Sequence, residues 1–150
     1  MNTTVEEQLV VAINAVYMHF GKWGFPDLEA GFQAVERQFA GVLEEPDYLE
    51  VKRRVAEGTF GAAQDTEQPV DHCLEILGRL EQLGWSSLYG KANVLFAFSR
   101  YCLDHDRKDV GLHILIPLMA ELEQRYAHTG EEQCVAWLND LRPLLAELQA

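Results

Sequence analysis

Apolar residues along this chain recur mostly at intervals of three and four, the period of one face of an α-helix. Leu28, Phe32, Val35, Phe39 and Val42 step 4, 3, 4, 3, and Cys134, Leu138, Leu141, Leu145 and Leu148 repeat the same order. A further stripe occurs twice. Leu74-x-Ile76-Leu77-x-x-Leu80-x-x-Leu83 returns as Leu112-x-Ile114-Leu115-x-x-Leu118, closing with Leu122, 38 residues further on. Strand-type alternation is scarce. The pattern predicts an all-α fold of about seven helices in stacked antiparallel pairs, either an array of helical hairpins or an irregular bundle.

Start and stop signals set the boundaries. The first helix is expected to open on Thr4-x-x-Glu7, a capping box in which hydroxyl and carboxylate satisfy free amides. It buries Val5, Leu9, Ala12, Ile13, Val16 and Phe20 and ends at Gly21. A loop, Lys22-Trp23-Gly24-Phe25-Pro26, leads to a helix from Asp27. Glu45-Pro46 breaks the chain, since the residue before proline disfavours the helical region. A shorter helix, Asp47 to Glu57, stops at Gly58. Residues 59–69, small and polar, read as a surface loop joining sub-parts 1–58 and 70–150 of a single domain 1–150. Four helices follow, near 70–83, 87–104, 108–127 and 131–149. Gly84 ends the first, Ser86 or Ser87 caps the second, and Thr129-x-x-Glu132 forms another capping box. Pro117 and Pro143 fall inside helical patterns, where kinks are expected. Leu77, Leu80, Leu115, Leu118 and Leu141 are the expected core.

At 150 residues, 48% hydrophobic and 24% charged, the chain has the composition of a folded globular domain. Acidic residues outnumber basic ones 24 to 12, a net charge of −12. That balance repels nucleic acid and anionic membranes, and it complements a partner protein with a basic surface. Part of the excess is local, with Glu131, Glu132, Asp140 and Glu147 against Arg142 alone after Thr129. The N-terminus lacks the basic and apolar regions of a signal peptide, and no stretch is long and apolar enough to span a bilayer. Cys73, Cys102 and Cys134 lie on apolar helix sides as core thiols, with no CxxC zinc spacing. The expected setting is the cytoplasm.

No spacing here names a reaction. Asp104-His105-Asp106, with Asp109, His72 and His113 elsewhere, lacks the converging ligands of a metal site, and it reads as a helix–helix turn. No nucleophile elbow, phosphate loop or dinucleotide fingerprint occurs. Lys52-Arg53-Arg54 sits among Glu44, Glu45, Asp47, Glu50 and Glu57 and reads as an ion-pair set along its helix. No catalytic residue, metal or cofactor is expected. Four aromatics beside glycine-marked helix ends, Trp23, Phe25, Trp85 and Tyr89, are the candidate partner-binding residues, each either an exposed anchor or a plug folded into the bundle. Phe60, in Gly58-Thr59-Phe60-Gly61, has the same two readings, and Trp137 is expected in the core.

Residues 70–150, and Ala92–Leu122 in particular, resemble a tetratricopeptide-type hairpin: small residues and aromatics, an acidic turn, then Leu-x-Ile-Leu. Cys102-Leu103-Asp104 through Ile114-Leu115-x-Pro117-Leu118 resembles more narrowly the helical C-terminal region of the type VI secretion adaptor TssA. The Trp-x-x-Leu-Gly-x-x-Tyr opening of the hairpin family is absent. The resemblance implies protein–protein association without catalysis. Three readings follow: a helical adaptor or scaffold linked to bacterial secretion; an immunity protein covering a basic toxin domain; and a metal-dependent enzyme using His105, Asp106 and His113. Self-association stays open.

Overall fold

The structure, a computed structural model, describes residues 1–20 and 23–150. Among them are seven helices and no strand: α1 (Thr3–Phe20), α2 (Phe25–Phe39), α3 (Asp47–Asp65), α4 (Val70–Leu83), α5 (Leu88–Asp104), α6 (Lys108–Thr129) and α7 (Glu132–Gln149). No helix among the described residues is long and apolar enough to cross a membrane. The chain forms two compact units, Met1–Trp85 and Ser86–Ala150.

In the first unit each helix packs on the next, and α1 also touches α3. Its core centres on Phe32, Phe60, Leu9 and Leu80, all essentially fully buried. The Tyr17 ring meets Phe32 edge-on at 5.4 Å, and the Tyr17 hydroxyl donates to the Gly58 carbonyl at 3.0 Å. A Cβ on Gly58 would lie 2.6 Å from the Phe32 ring. This glycine therefore marks close packing of α3 on α2, not a helix end.

The expected stop at Gly58 and the loop 59–69 are accordingly corrected: α3 runs on to Asp65. Thr59, Phe60, Ala62 and Ala63 are all buried, and that burial outweighs the cost of about 1 kcal/mol for a glycine inside a helix. The helix ends where the Thr66 hydroxyl donates back to Ala62, just before Glu67 at φ 56°. The boundary between compact units falls at Trp85/Ser86. Arg53 Nε donates to the Leu83 and Gly84 carbonyls at 3.2 and 3.1 Å, which satisfies the free end of α4 and fixes α3 antiparallel to it.

In the second unit α5, α6 and α7 each pack on the other two. Gly111 lies at the crossing: a Cβ there would sit 2.7 Å from Leu148 and 3.5 Å from the Cys102 Cβ. Gly130, at φ 66°, lets the chain reverse between α6 and α7 through the left-handed conformation. Leu77, Leu80, Leu115, Leu118 and Leu141 are all buried, as are the three cysteines. Leu144 takes the buried place expected for Leu145, which is half-buried.

Both expected capping boxes are corrected. Asn2 Oδ1 accepts from the Val5 amide at 2.9 Å, so the α1 cap precedes Thr4. Thr129 belongs to the last turn of α6, where its hydroxyl donates to the Arg125 carbonyl and leaves the start of α7 to Glu131. The expected Ser87 cap is present, accepting from the Gly90 amide at 2.9 Å. Helix α2 starts at Phe25, with Pro26 in its first turn, rather than at Asp27. Val42 lies beyond its end and is exposed. The expected stop at Gly21 lies outside the described residues.

Ser99, fully buried on α5, has a hydroxyl with no partner. Removing an unsatisfied buried group relieves its desolvation penalty. Ser99→Ala is expected to stabilise the second unit by about 1 kcal/mol, read as a higher midpoint in thermal or urea melts.

Candidate functional site

The exposed apolar side chains concentrate on α1. Its segment Leu9-Val10-Val11-Ala12-Ile13 is apolar throughout, but a helix packed on one side buries only part of its circumference. Leu9 and Val16 face the core, while Val10, Val11 and Met18 face outward, the last two 68% and 84% exposed. Val11 and Met18 are two turns apart and share a face. Shallow depressions flank this strip, one lined by Thr4, Glu7, Val11 and Gln38, the other by Thr3, Glu6 and Val10. Just past α1, Trp23 is 63% exposed, its ring edge-on to Phe20 at 6.4 Å.

The unit that carries this strip is strongly negative. Met1–Trp85 contains 15 acidic and 6 basic residues, and thus nine of the twelve net negative charges. α1 itself has Glu6 and Glu7 and neither Lys nor Arg. Glu6 is paired with Arg54 at 2.7 Å; the hydrogen bond to that guanidinium holds its carboxyl below the usual range. Within the Lys52-Arg53-Arg54 run the expected ion pairs form at two of the three residues: Arg54 also meets Glu50 at 3.3 Å and Arg53 meets Glu50 at 3.6 Å, while Lys52 lies 4.6 Å over the Tyr48 ring.

A second concave feature of this unit lies over α3. Lys52, Val55, Ala56 and Thr59 form its floor; Glu29, Gln33 and Glu36 of α2 form one wall; Ile76, Arg79 and Leu83 of α4 form the other. Its volume is about 180 Å³.

The four sequence-derived aromatics do not share one role. Trp23 stands exposed. Phe25 is 3% exposed and packs edge-on against the His72 ring at 5.1 Å, so it is a plug of its unit. Trp85 is half-buried at the end of the first unit. Tyr89, in the second unit, is half-buried; its hydroxyl donates to the Glu131 carboxylate and lies 3.4 Å from the Cys134 sulfur. The Arg125 guanidinium lies over its ring at 5.5 Å and meets Glu131 at 3.5 Å. The Cys134 sulfur, and then the Glu131 carboxylate, push the Tyr89 pKa above the ordinary tyrosine value. This network ties the start of α5 to the α6–α7 turn. Phe60 is buried within α3, and Trp137 is half-buried, edge-on to Phe96 at 6.2 Å.

His105 caps α5. Its Nδ1 lies 2.9 Å from the Tyr101 carbonyl and its ring stacks on Tyr101 at 3.9 Å. Asp109 lies in the first turn of α6, its carboxyl held below the usual range by the Arg107 guanidinium. Among the described residues no group of His, Cys, Asp and Glu gathers as a metal site. Sequence reasoning missed Val10, Val11 and Met18, although the five-residue apolar run was a usable signal. It also missed Glu29, Glu36 and Arg79, which no local motif marks.

Glu57 gives this unit a pH dependence. Burial, and then the Glu50 carboxylate, raise its pKa above the ordinary 4.5. A raised folded-state pKa means that the protonated form favours folding; this stability is present below the ordinary value and is lost as pH rises through the raised one. Glu57→Gln is expected to melt higher than the wild type at about pH 7, and the gap should close below about pH 4.

No protein-family model, curated protein or solved structure matches this chain.

Proposed function

We propose that this chain is a non-catalytic protein-binding module that holds its partner on the outward face of α1. One observation supports this most: Val10, Val11 and Met18 of α1, and Trp23 after it, expose apolar surface on the more acidic of the two units. Covering exposed apolar side chains is favourable, and an exposed tryptophan is a typical interface anchor. The acidic surround fits a basic protein surface, because opposite charge speeds encounter while the apolar strip sets the lifetime of the complex. A second copy fits less well, since each first unit brings nine net negative charges to such a contact. The resemblance of residues 92–122 to a tetratricopeptide-type hairpin points towards association as well. His105, stacked on Tyr101 and engaged with its carbonyl, is a capping residue in this reading.

The excess of acid in the first unit favours a narrower form, an immunity protein that covers a basic toxin domain. A toxin gene beside this one would favour that form, whereas secretion-system genes would favour the adaptor. The testing experiment is affinity capture from the native host with mass spectrometry, using wild type and a Val11→Asp, Met18→Asp double variant in parallel. A protein enriched by the wild type and lost by the folded variant supports the module. Equal enrichment by both removes α1 from the interface.

A further inference from the structure

The groove over α3 has a charge arrangement that the α1 face does not share. The α2 wall presents two carboxylates, Glu29 and Glu36, while Lys52 on the floor and Arg79 on the α4 wall present two cations. Among the described residues none of the four is in an ion pair, although Lys52 also lies over the Tyr48 ring. Between them lie Val55 and Ile76, both buried, and the half-buried Ala56 and Leu83. The Thr59 hydroxyl is committed to the Val55 carbonyl at 2.9 Å and offers no donor to the groove.

The four charges sum to zero, the carboxylates coming from α2 and the cations from α3 and α4. A purely anionic or cationic ligand would satisfy one side and be repelled by the other. A ligand with an ammonium and a carboxylate a few ångströms apart would meet both, each contact a charge-assisted hydrogen bond. The volume, about 180 Å³, lies below the 300–1,000 Å³ range of drug-sized sites, which limits the ligand to a very small molecule. We infer that this groove binds a small zwitterion of the size of a single free amino acid, its ammonium on the Glu29/Glu36 wall and its carboxylate towards Lys52 and Arg79, with its side chain over the apolar floor. This site is distinct from the α1 face, and its failure would leave the proposed function untouched.

The test follows the backbone amide resonances of the full chain during titration with each of the common free L-amino acids, up to about 10 mM. Saturable shifts at the groove residues are expected for at least one of them. The matching amine without the carboxylate, and the matching acid without the ammonium, should each bind about tenfold more weakly or worse. Arg79→Gln and a Glu29→Gln, Glu36→Gln double variant change only solvent-accessible side chains and should keep the wild-type spectrum elsewhere while weakening binding by a similar factor. No saturable shift with any amino acid would overturn the inference. So would shifts that survive in both variants, or equal binding of the amine or the acid alone.

Discussion

Phe32→Ala is expected to lower the stability of the first unit by about 3–5 kcal/mol, a large share of the roughly 5–15 kcal/mol that holds an ordinary domain folded. The size follows from what surrounds the ring. Phe32 is fully buried, Tyr17 meets it edge-on, and the α3 backbone at Gly58 approaches so closely that a Cβ there would overlap it. Truncation therefore opens a cavity where α1, α2 and α3 meet. Phe98→Ala, in the second unit, should cost a similar amount, since Phe98 is equally buried. Circular dichroism with urea titration checks both. A midpoint unchanged by Phe32→Ala would mean that the α1–α2–α3 packing is not as described.

The second large effect is on binding. Val11→Asp with Met18→Asp is expected to leave the melting temperature within about a degree or two, because both side chains are exposed and surface changes usually stay within about 0.5 kcal/mol. The same double variant should weaken partner binding by about 2 kcal/mol or more, through loss of apolar burial and the cost of desolvating two carboxylates in the interface. Trp23→Ala should act in the same direction, whereas Phe25→Ala should first lower stability, because Phe25 is buried against His72. Association with the wild type should slow as salt rises, since steering by the acidic surface is screened over about 8–10 Å. Loss of binding that tracks loss of fold in all these variants would assign the α1 residues a structural role only.

The helices from Val70 onward are legible in the sequence to within a residue or two because their stripes are long and end on unambiguous signals. Gly84 at φ 83° and Gly130 at φ 66° adopt conformations that other residues resist, so here glycine is a reliable terminator. Gly58 misleads for the opposite reason. It serves as a place where two helices meet, and only the position of Phe32, 26 residues earlier, distinguishes that use from a stop. The two Thr-x-x-Glu matches misled similarly. The motif caps only when its threonine lies outside the helix, yet Asn2 takes that place at α1, and the left-handed Gly130 keeps Thr129 inside α6.

Site residues were harder to read than helices because exposure is set by tertiary packing. Trp23 and Phe25 share the same glycine-flanked segment, yet one stands in solvent and the other enters the core. The α1 face was recoverable in principle: five consecutive apolar residues exceed what one buried face can absorb. The groove over α3 was not, since Glu29, Lys52 and Arg79 come from three helices and no local pattern brings them together.

The most direct test of partner binding on α1 is hydrogen–deuterium exchange on the chain, alone and in complex with the protein it captures. New protection on binding is expected within residues 3–20 and around Trp23, with the second unit exchanging as it does alone. Protection confined to α5, α6 and α7, with α1 unchanged, would contradict it.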